Sequence, residues 1–246
     1  MLPNLAIPLA LGVLAAMANV FGGLVLTGRD WERRYLRYFI ALGAGFMLAA
    51  VLLEMLPQSM ALCPASAPLL LLAGYLLVHL VEHALVAHFH FGEETHASHL
   101  AHGHLPWSVM AGLAIHTFFD GVAIGSGFLV SSWLGWIIFL AVFLHKIPEG
   151  FTMASVVLAA GRGNRAAVAA TVVLGAASVL GVATMLVFPV GLPEALPFAA
   201  GVTLYVATSD LIPEVNREPG VRMAMCVFLG VAILAALEFT FHSLSL

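Results

Sequence analysis

Residues 107–129 read WSVMAGLAIHTFFDGVAIGSGFL, an apolar run that holds a histidine and an aspartate near its middle. Residues 133–158, WLGWIIFLAVFLHKIPEGFTMASVVL, repeat the arrangement with His145 and Glu149. At 1.5 Å per residue, about twenty apolar residues cross the roughly 30 Å hydrocarbon core of a bilayer, so both runs read as transmembrane helices. The composition agrees: 62% of the chain is hydrophobic, 9% is charged, and the mean hydropathy is +1.05. A soluble domain carries about a quarter charged residues.

Extending the same reading along the chain gives spans at about 4–27, 38–57, 66–88, 107–129, 133–158, 166–188, 194–212 and 222–243. A backbone in lipid satisfies its own hydrogen bonds, so the expected fold class is an all-α integral membrane protein. The expected architecture is an eight-transmembrane-helix bundle forming a single domain over residues 1–246. The first span has no positive charge ahead of it and is too long for a signal-peptide core, so it is read as a retained helix.

Basic residues set the expected orientation. Arg29, Arg33 and Arg34, with Arg37, lie between the first and second spans, Arg162 and Arg165 between the fifth and sixth, and Arg217 and Arg222 between the seventh and eighth. These loops share one face, which the positive-inside bias makes cytosolic, with both termini extracytoplasmic. The loop between spans three and four, about 89–106, falls on the same face and contains the tract HFHFGEETHASHLAHGH at 88–104. Its imidazoles, neutral near pH 7, suit weak cytosolic metal binding, and a plain linker explains the tract equally well. Cys63 and Cys226 form no CxxC pair, and a net charge of −4 without a basic tract argues against nucleic acid.

The two polar pairs carry the chemistry. Span four runs outward and span five inward, so His116 and Asp120 meet His145 and Glu149 at similar depth. Residues four apart share a helix face, and two such faces turned together form a cage of two imidazoles and two carboxylates. A carboxylate at the bilayer centre costs about 2.5–3.5 kcal/mol on insertion scales, and a divalent cation compensates for it. Imidazole with carboxylate suits Zn²⁺ and, on the same grounds, Cd²⁺, Fe²⁺, Mn²⁺ and Co²⁺. Pro148 lacks a donor and is expected to bend span five beside the cage, and Gly121 and Gly150 to allow close helix approach.

HTFFDG and HKIPEG, together with YVATSDLIPE at 205–214 and the histidine-rich loop, resemble the ZIP family of divalent metal transporters. The resemblance follows all eight spans in order. It implies uptake of zinc or a related ion toward the cytosol across the plasma (inner) membrane, with no catalytic cofactor. It also implies His116, Asp120, His145 and Glu149 as transport-site ligands. Members with two metals resemble HNxPEG in span four and place an acid after the first ligand of span five. Here Thr117, Phe119 and Lys146 stand at those positions. An ammonium beside Glu149 takes the electrostatic place of a second cation, so one metal is expected.

Other polar residues fall into two groups. Glu54, with Met47 seven residues before it, is a candidate entrance or accessory position on span two. His79, Glu82 and His83 on span three, with Asp210 and Glu214 on span seven, are a candidate exit route. HLVEH at 79–83 superficially resembles a box of membrane-bound di-iron oxidoreductases, although adjacent histidine pairs are absent from this chain. A metal exporter would use similar ligands, because ligand chemistry does not set direction. Oligomeric state, a homodimer included, is open at this point.

Overall fold

The computed structural model describes residues 5–25, 31–85, 105–217 and 220–244. The histidine tract lies outside these described residues. Among them the chain is helical, with no strand, and eight helices are long and apolar enough to cross a membrane.

In chain order these are α1 (Ala6–Val25), α2, α3 (Ala67–Leu85), α4 (Leu105–Val130), α5 (Ser132–Ala159), α6 (Asn164–Val187), α7 and α8 (Val221–Leu244). Helix α2 runs from Trp31–Ala49 through a wider π-helical segment, Ala50–Met55, into Leu56–Leu62. Helix α7 does the same, from Leu192–Tyr205 through Val206–Leu211 into Ile212–Arg217. Each wide turn lies just ahead of a proline, Pro57 or Pro213, and contains a buried acid, Glu54 or Asp210. A proline ring inside a helix meets the carbonyl four residues earlier, and a π-turn is one way to make room for it. Pro148 differs: α5 continues as an unbroken α-helix through it.

Helix α5 is the centre of the bundle. In its most apolar stretch 78% of residues are buried, against 17% for α3 and 11% for α8. It packs on α1, α4, α2 and α6. Glycines set these approaches, because without a hydrophobic drive between helices in lipid, close van der Waals contact does the work. A Cβ on Gly150 would sit 1.8 Å from the Asn19 carbonyl oxygen of α1, and one on Gly22 of α1 would sit 2.1 Å from the Ile147 carbonyl oxygen of α5. The same reciprocal arrangement joins α4 to α6 through Gly121 and Gly181. Gly45 with Gly230 joins α2 to α8, and Gly74 with Gly201 joins α3 to α7.

Candidate metal site

At 1.5 Å per residue, His116 lies roughly 16 Å along α4 from its start, and His145 roughly 20 Å along α5. Both therefore fall within the bundle and not at its ends. His116, Asp120, His145 and Glu149 are all buried, and each offers one ligand atom such that the four lie within 4.8 Å of one another. The i, i+4 spacing puts the two members of each pair on one helix face. The Gly121 and Gly150 contacts bring α6 and α1 against the backs of the same turns.

Two carboxylate oxygens receive most of the contacts. Glu149 Oε2 is 3.1 Å from His116 Nε2 and 3.8 Å from His145 Nε2. Asp120 Oδ2 is 3.2 Å from His145 Nε2. Between them Lys146 donates to Asp120 Oδ2 at 2.7 Å, to Thr117 Oγ1 at 3.2 Å, and in close contact to Glu149 Oε2. Lys146 is fully buried, so its charge stays off the membrane interface and is neutralised by the two acids.

The other oxygen of Glu149 is held separately. Thr117 Oγ1 donates to Oε1 at 2.6 Å and Asn19 Nδ2 donates to it at 2.7 Å. Asn19 carries α1 into the cluster, a contact no spacing rule indicates. Its only mark in the sequence is a lone amide in an otherwise apolar helix, AIPLALGVLAAMANVFGGLV.

Two details prepare this cluster for a cation. His145 Nδ1 lies 3.0 Å from the Ala141 carbonyl, which accepts only, so the ring proton sits on Nδ1. The same contact turns Nε2 toward Asp120 Oδ2 and Glu149 Oε2, with the backbone anchor typical of a metal-ligating imidazole. Asp120 Oδ1 is buried with no hydrogen-bond partner, leaving an acceptor that a cation would satisfy.

The remaining candidates lie elsewhere. Met47 is fully buried in the apolar cluster that α2 shares with α5, α7 and α8. Glu54 accepts a hydrogen bond from Trp133 Nε1 of α5 at 2.9 Å. On α3, Glu82 accepts from Tyr205 of α7 at 2.8 Å, while His79 and His83 are exposed with ring centroids 4.1 Å apart. Asp210 is buried with Oδ2 unpartnered, and Glu214 pairs with Arg217 at 3.1 Å. None of these residues joins the four-residue cluster.

Eight apolar helices around a buried imidazole–carboxylate cluster define a multi-pass helical membrane protein. Residues 92–238 match the ZIP zinc transporter family. The zinc transporter ZIP9 of Xenopus tropicalis is 32% identical over 158 residues, which cover 59% of this chain and 52% of that protein. The zinc transporter ZIP5 of Homo sapiens is 36% identical over 134 residues, covering 50% and 24%. The zinc transporter SLC39A7 of Mus musculus is 28% identical over 127 residues, covering 47% and 27%. The chain thus spans about half the length of the ZIP9 protein and less of the others. It belongs to the ZIP zinc transporter family. Membership in a transporter family removes the oxidoreductase reading of HLVEH.

Proposed function

We propose that this protein carries a divalent metal ion, Zn²⁺ first among them, across the plasma (inner) membrane toward the cytosol. The ion is held in transit by His116, Asp120, His145 and Glu149. The observation that carries this reading is the convergence of four buried ligand atoms within 4.8 Å at the centre of an apolar bundle. The zinc transporters among its relatives support the choice of ion. The absence of a thiolate from the cluster supports reversible holding over a closed structural zinc site.

Lys146 defines the stoichiometry in this reading. Asp120, Glu149 and Lys146 together carry a net charge of −1, and one divalent ion brings the cluster to +1. A second divalent ion would raise it further in a medium that screens poorly, so the site takes one. Entry of the ion requires the ammonium to withdraw from Asp120 Oδ2 and Glu149 Oε2, the oxygens it shares with the two imidazoles. The bias of the loop arginines, Arg162, Arg165 and Arg217 among them, supports a cytosolic assignment for their face.

The test is flux into proteoliposomes of known orientation, loaded with a metal-sensitive dye and challenged with Zn²⁺, Cd²⁺, Fe²⁺, Mn²⁺ and Co²⁺. Saturable Zn²⁺ entry from the face opposite the loop arginines is expected. Flux no greater than in empty liposomes, or flux in the reverse sense alone, would refute the proposal.

A further inference from the structure

Away from the metal cluster, a cavity of about 190 Å³ opens between the ends of α4, α5 and α6. Its floor is apolar, formed by Met110 of α4, Met153 and Val157 of α5, and Ala170 of α6. Its mouth carries Trp107, at the start of α4, and Arg162, in the turn that leaves α5. The Arg162 guanidinium lies 5.5 Å from the centroid of the Trp107 ring. Arg162 and Arg165 are both exposed, and among the described residues neither forms an ion pair with a carboxylate.

The depth of these groups decides what fits. Trp107 and Arg162 mark the membrane–water boundary, where tryptophan and arginine both settle. At 1.5 Å per residue, Met153 lies roughly 9 Å inside the end of α5 at Ala159, at the level of acyl chains. A soluble anion would pair with the guanidinium and leave the floor uncovered. A zwitterionic lipid would cover the floor and bring its own cation beside Arg162. An amphiphile with a net negative head satisfies both ends, and basic pockets between transmembrane helices are known to take such headgroups.

We propose that this cleft is a binding site for an anionic phospholipid from the leaflet on the arginine-bearing face. Its phosphate pairs with Arg162, its glycerol region lies against Trp107, and one acyl chain packs on Met110 and Val173 above the buried Met153. Met153 lies four residues beyond Glu149, on the same face of α5. The bound chain therefore rests one helical turn from the metal cluster and steadies the helix that supplies half of its ligands.

The full-length protein, delipidated and given equal amounts of phosphatidylglycerol and phosphatidylcholine in micelles, tests this by native mass spectrometry of the retained lipid. Wild type should keep phosphatidylglycerol in about fivefold preference. Arg162→Glu should abolish the preference, Arg162→Lys should keep part of it, and Arg222→Glu, another arginine-loop residue, should keep all of it. Ala170→Phe, which fills the floor, should lose the lipid, with a thermal melt to verify that it folds. Loss in Arg222→Glu equal to that in Arg162→Glu would reduce the effect to bulk charge and overturn the site. No phosphatidylglycerol preference in wild type, or full competition by water-soluble glycerol phosphate, would overturn it too.

Discussion

Lys146 bonds Asp120, Glu149 and Thr117 at once. Its removal should therefore alter metal affinity without disturbing the imidazoles. Lys146→Ala should still bind one metal, but more tightly, as isothermal titration would read. The ligands behave differently. His145→Ala or Glu149→Ala removes a donor and leaves buried partners uncompensated, so transport should fall by about tenfold or more while membrane insertion persists. Asp120→Glu moves the same charge by a methylene, and a changed ranking among Zn²⁺, Cd²⁺ and Mn²⁺ in competition assays is the expected result. Asn19→Ala frees Glu149 Oε1 from one of its two donors and should weaken binding in the same assay. The four-residue cluster was legible because ionisable residues are rare in apolar runs and these repeat at one spacing. Asn19 was not, because one amide in a separate helix has no periodicity to announce it.

At the scale of the helix, packing depends on backbones that nearly touch. Gly150→Ala would press a methyl into the Asn19 carbonyl and push α1 off α5, and overpacking of this kind costs about 1–3 kcal/mol. A lowered thermal midpoint in detergent should report it. Gly43→Ala, inside α2 where the added methyl would meet its nearest neighbour at an ordinary 3.7 Å, is the matched control and should not lower the midpoint. The existence of every helix was legible from apolar length. Two ends were not: the spans read as 38–57 and 194–212 continue to Leu62 and Arg217. Pro57 and Pro213 fall at those two boundaries, yet each helix widens into a π-turn and carries on through its proline. Partner choice among helices was equally hidden, because a glycine gives no sign of which backbone it will meet.

At the scale of the whole molecule, orientation rests on the arginines alone. A cysteine placed in the histidine-rich loop should resist an impermeant thiol reagent added to intact cells, and labelling from outside would invert the topology. Deleting residues 92–104 should leave the transport rate within about twofold of wild type, since the four residues of the proposed site reside on α4 and α5. The central claim is that one divalent ion occupies His116, Asp120, His145 and Glu149, with Lys146 in the place of a second. Its most direct test is the number of Zn²⁺ ions bound per chain, measured on purified protein lacking residues 92–104. One ion is predicted for wild type, none at the same affinity for the combined His145→Ala and Glu149→Ala variant, and two for Lys146→Asp. Two ions in wild type, or one ion retained at full affinity without His145 and Glu149, would contradict the account.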